Sequence, residues 1–96
     1  MAKTIRKKKQ YTTKQKAALA AKIMQWAVVI SETTPHDVFC DYSPHVGWLE
    51  VQIYLGGWVA DKGYDDSFCL DFKYPELLDR CVKEVMEALD KLLLDA

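Results

Sequence analysis

The stretch HDVFCDYSPHVGWLEV, His36 to Val51, holds two histidines, one cysteine and three carboxylates in sixteen residues. His36, Cys40 and His45 are zinc-ligand types, and a cysteine near a histidine is the pairing of a thiolate nucleophile with its base. The spacing argues against both. In an extended strand rising about 3.3 Å per residue, His36 and Cys40 lie roughly 13 Å apart, whereas zinc ligands converge to within about 2.0–2.3 Å of one ion. Cys40 shares a strand face with Val38 and Tyr42 and so points into the core, and His45 falls in a turn. Asp41 and Glu50 are types that hold Mg²⁺ or act as acid and base, but no histidine or further ligand joins them. No glycine-rich phosphate loop, HExxH or GxSxG occurs in the chain. The expectation is a non-enzymatic protein using no metal and no cofactor, with Cys40 buried and both histidines facing water.

A β-hairpin must position these residues. Residues 37–43 alternate, SPHVG reads as a turn with Gly47 in its left-handed position, and WLEVQIYL alternates again. Keeping the apolar faces together pairs Tyr42 with Leu49, Cys40 with Val51 and Val38 with Ile53. The outward pairs are then Ser43–Trp48, Asp41–Glu50, Phe39–Gln52 and Asp37–Tyr54. A third strand, DSFCLDF, turns Phe68, Leu70 and Phe72 inward and Asp71 outward. Asp41, Glu50 and Asp71 therefore form an expected acidic stripe on the open sheet face, with Trp48, Tyr54, Phe39 and Trp58 around it. Exposed aromatic residues are typical anchors of binding surfaces, and carboxylates beside them suit Lys or Arg of a basic partner.

Two helices complete the pattern. Thr12 or Thr13 suits an N-cap, and Leu19, Ile23, Trp26 and Ile30 make one helical stripe. Thr34 precedes Pro35 and avoids the α region, which ends this helix near Glu32. Pro75 and Glu76 open a second helix with the stripe Leu78, Val82, Val85, Leu89 and Leu92. Asp79–Lys83 and Glu87–Lys91 are i,i+4 pairs on its outer side. Leu49, Val51, Ile53 and Leu55 are expected inward, Gly56-Gly57 makes a bend, and ADKGY a turn with Gly63 at positive φ. The fold class is α+β: a two-layer α-β-β-β-α sandwich, with a three-stranded antiparallel meander and both helices on one face.

Composition bounds the rest. Ninety-six residues with 50% hydrophobic and 28% charged side chains make one small domain. No apolar run approaches the ~20 residues of a membrane span, and no signal-peptide pattern follows the N-terminus, so a cytoplasmic protein is expected. Cys40, Cys69 and Cys81 are odd in number with no CxxC, and read as buried reduced thiols. The net charge of −1 is a balance of unlike parts. Lys3, Arg6, Lys7, Lys8, Lys9, Lys14 and Lys16 face no acid within residues 1–16, giving +7; the remaining six bases and fourteen acids give −8. The expected organisation is a disordered basic tail, 1–11, before a single acidic α+β domain, 12–96.

The element order is also that of double-stranded-RNA-binding domains. Their last helix starts with basic residues, whereas here the region is YPELLDRCVKEV, and the likeness fails. The run HDVFCDYSPHVGWLEVQIYLGGW, with the preceding AAKIMQWAVVISETT, resembles short uncharacterised phage and prophage proteins of Gram-positive bacteria over about residues 17–60. That resemblance carries no catalytic motif and no assigned residue. It implies an accessory factor acting in a bacterial host cell. Some small acidic phage proteins, anti-CRISPR proteins among them, block a host nuclease by occupying its basic groove.

Three functions are therefore expected in turn. The first is binding and inhibition of a host protein, a CRISPR nuclease being the example, through Asp41, Glu50, Asp71, Trp48, Tyr54 and Phe39. The second is association with nucleic-acid phosphate through the seven bases of residues 3–16. The third is a structural module that self-associates through its sheet edges, the chain being a monomer or a homodimer.

Overall fold

A computed structural model describes residues 11–96. The order is α1 (Thr13–Thr33), β1 (Asp37–Ser43), β2 (Trp48–Tyr54), β3 (Asp66–Asp71) and α2 (Pro75–Leu93), an α+β fold. Thr12 opens α1 with a capping box. Its hydroxyl accepts from the Gln15 backbone N–H at 3.1 Å, and the Gln15 side chain accepts from the Thr12 N–H at 2.8 Å. Two orphan donors are thereby satisfied at once. At the far end Thr34 is extended before Pro35, while its N–H still donates to the Ile30 carbonyl at 2.9 Å. The Val38 N–H donates to the Ser31 hydroxyl at 3.0 Å, which ties the end of α1 to the start of β1.

The sheet is an antiparallel meander in the order β1-β2-β3. All seven expected pairs of the hairpin occur, from Asp37 opposite Tyr54 to Ser43 opposite Trp48. Gly47 closes the turn at φ 69°, a left-handed conformation, and its N–H donates to the Ser43 carbonyl at 2.9 Å. Gly56 and Gly57 bend the chain at φ 77° and 104°. At Gly57 the positive φ, not space, requires glycine: an added Cβ would meet the Pro35 carbonyl at 3.4 Å, an ordinary contact. In the next turn Asp61, not Gly63, takes positive φ, at 70°. Aspartate is among the few residues that enter this region readily, so the glycine is not needed there.

The core lies between the inner sheet face and both helices. Ile23, Ala27 and Ile30 of α1 and Leu78, Val85 and Leu89 of α2 meet Val38, Leu49, Val51, Ile53, Leu70 and Phe72. Leu55, expected with them, is 46% exposed. β2 ends at Tyr54, and the glycine bend then removes Leu55 from the strand alternation. Of the expected basic tail, residues 1–10 lie outside the described residues. Tyr11 packs against the core, and its hydroxyl hydrogen-bonds the Asp79 carboxylate. Glu87 and Lys91 form no ion pair among the described residues. No helix of the described residues is long and apolar enough to cross a membrane.

Candidate binding face of the sheet

The outer face of the sheet is a set of cross-strand rows. One row is Ser43, Trp48 and Asp71; the next is Asp41, Glu50 and Cys69; the third is Phe39, Gln52 and Ser67; Asp37 and Tyr54 close the end. Asp41 and Glu50 stand directly opposite each other, as the alternation requires. Asp71 is on the same face but one row away, opposite Trp48, and Cys69 rather than Asp71 continues the row of Glu50. The stripe is therefore a carboxylate pair with a third acid set diagonally to it.

The environments of the three acids differ. Asp71 is committed within the protein: one carboxylate oxygen accepts from the Trp48 indole N–H at 3.2 Å and the other from the Lys73 backbone N–H at 3.0 Å. Its role on this face is to hold Trp48, which is 37% exposed. Asp41 and Glu50 have no ion-pair partner among the described residues. With Phe39 and Gln52 they line a recess of about 50 Å³. Small-molecule sites are commonly about 300–1,000 Å³, and this recess is well below that range.

The aromatic residues also divide. Phe39 is 46% exposed, whereas Tyr54, expected beside it as a contact, is only 9% exposed. Their rings meet edge to face with centroids 5.2 Å apart, so Tyr54 is the floor under Phe39. Trp58 is exposed in the β2–β3 connection, whose path is fixed where its N–H donates to Asp37 at 2.7 Å.

The histidines and thiols have settled roles. His36 is not solvent-facing: its side chain is 12% exposed. Nδ1 accepts from the Gly56 N–H at 3.0 Å, which places the proton of the neutral ring on Nε2, 2.6 Å from the Asp95 carboxylate. His36 thus ties the glycine bend to the C-terminal end of the described chain. His45 is exposed in the turn. Of the cysteines, expected buried, Cys40 and Cys81 are half-buried and Cys69 is exposed on the outer face. Its strand parity, opposite to Leu70, dictates that position. Partial burial, then the negative charges of Glu50 and Asp71, push the Cys69 thiol above its ordinary range. Burial, then Asp41, does the same to Cys40. Both changes disfavour the nucleophilic thiolate. Among the described residues no three His, Cys, Asp or Glu side chains are grouped to hold a metal ion.

Of the seven bases assigned to the tail, Lys3, Arg6, Lys7, Lys8 and Lys9 lie outside the described residues. Lys14 and Lys16 belong to α1, and the Lys16 ammonium sits 6.0 Å from the centroid of the Phe72 ring. No protein-family model matches the chain, and no match is found among curated proteins or solved structures.

Proposed function

We propose that the protein is a non-enzymatic binding module whose outer sheet face docks on a basic protein surface. The observation that carries this reading is the Asp41–Glu50 pair. Like charges directly opposite in a ladder destabilise a sheet, and here no described base relieves them. An arginine or lysine entering the recess between them would neutralise both carboxylates through charge-assisted hydrogen bonds. Phe39 and Trp48 would pack on the stem of that side chain and its surroundings, with Tyr54 and Asp71 keeping the two rings in place. The resemblance to phage and prophage proteins makes a host protein the expected partner, a nuclease with a basic groove being one such surface, and inhibition the expected consequence.

The test is charge reversal at the face. Asp41→Lys with Glu50→Lys should abolish partner capture while circular dichroism and thermal unfolding stay those of a folded protein. Removal of residues 1–10 should leave capture intact. Loss of capture only on that removal would move the function to the basic segment.

A further inference from the structure

The two helices each bury one face against the sheet but differ on the other. α2 meets solvent with Glu76, Arg80, Lys83, Glu87, Asp90 and Lys91. α1 carries no charged residue from Ile23 to Ser31. Ala17, Ala21, Met24 and Val28 recur at i, i+4, i+7 and i+11, and all four are exposed, Met24 by 44% and Val28 by 54%. They form a second apolar stripe, turned away from the buried Ile23, Ala27 and Ile30. A helix apolar on both sides is the pattern of a helix covered on both sides.

The charges at its ends identify what covers it. Lys14 stands in the first turn and Glu32 in the last, and no acid lies in the first turn or base in the last. This is the reverse of what the helix dipole favours. Neither residue has an ion-pair partner among the described residues. Lys14, Ala21, Gln25 and Glu32, at i, i+7, i+11 and i+18, share one flank of the stripe.

We propose that this stripe is the contact between two copies of the chain, with their α1 helices antiparallel about a two-fold axis near Ile23. The midpoints of Ala17–Val28, Ala21–Met24 and Lys14–Glu32 all fall at Lys22–Ile23. A two-fold axis there sets Ala17 against Val28 of the second copy and Ala21 against Met24 of the second copy, small side chain against large. It also sets Lys14 against Glu32 of the second copy, and the reverse, as a two-fold contact requires. Each misplaced end charge then meets an opposite charge and the opposite helix end. Ala17 also lines an apolar groove of about 490 Å³ with Ala20, Tyr42 and Phe72, and Val28 of the second copy stands at its mouth. The contact is smaller than the roughly 800 Å² per partner of a standard interface, which predicts a reversible dimer.

The experiment is light-scattering mass across a concentration series to about 100 μM, well above a micromolar dissociation constant. The full chain should rise toward twice its 11.0 kDa mass. Met24→Glu should remain a monomer with unchanged circular dichroism, because Met24 is exposed in the single chain. Lys14→Glu and Glu32→Lys alone should each weaken the dimer about threefold to tenfold, since two exposed pairs turn repulsive. The double variant should restore it. A monomer at every concentration, an undisturbed dimer in Met24→Glu, or no restoration in the double variant would each overturn the proposal.

Discussion

Asp41 and Glu50 face each other across the β1–β2 ladder with no described base to separate them. The pairing is forced by the register, because any one-residue slip would turn Val38, Leu49, Val51 and Ile53 out of the core. Retaining two carboxylates there lowers the stability of the free protein. Asp41→Asn should therefore stabilise it by about 0.2–1 kcal/mol, seen as a higher urea midpoint at unchanged m value. The same variant should bind its partner more weakly. Lower stability would mean that Asp41 makes a favourable contact on its own sheet.

Trp48 depends on Asp71 for its orientation. Asp71→Ala removes the acceptor of the indole N–H and should cost less than about 1 kcal/mol, because the bond is part-exposed. Partner affinity should fall by more than that cost predicts. Trp48→Phe, which keeps an aromatic surface, should bind better than Trp48→Ala. Equal losses in the two Trp48 variants would leave the ring without a packing role.

His36 joins three segments distant in sequence. His36→Ala removes the acceptor for Gly56 and the donor to Asp95 together, and should destabilise the protein by about 1–3 kcal/mol. Amide exchange at Gly56 should rise ahead of exchange in β2. Unchanged exchange would show that the glycine bend holds itself.

Cys69 is accessible but chemically quiet. Its raised pKa means that the folded protein keeps the thiol protonated where the unfolded chain loses the proton. This contribution to stability is fully present below the ordinary thiol pKa of about 8.5 and is lost as pH rises through the higher folded value. Alkylation of Cys69 should accelerate with pH later than alkylation of a free cysteine. Asp71→Asn should move that profile back downward.

The hairpin was readable because alternation, a proline-glycine turn and an apolar inner face all demand one register. Burial at its ends was not. Alternation places Tyr54 outward but does not reveal that Phe39 covers it, and Leu55 fits the pattern until the two glycines end the strand. Cys69 shows two rules in conflict: the habit of cysteine is burial, while strand parity beside Leu70 puts it outside, and parity prevails. His36 lies next to a proline in a polar run, so its neighbours in space, Gly56 and Asp95, are invisible to local spacing. Strand parity puts Asp71 on the outer face, yet its bond to Trp48 depends on the β2–β3 register, which the long connection between those strands leaves undefined in sequence.

The most direct test of the binding face is affinity capture from nuclease-treated bacterial lysate. The wild-type chain and the Asp41→Lys, Glu50→Lys variant would be compared side by side, with captured proteins identified by mass spectrometry. A protein with a basic surface, retained by the wild type and lost by the variant while both remain folded, is the predicted result. Equal capture by both chains, or capture that requires intact nucleic acid, would contradict the assignment of function to this face.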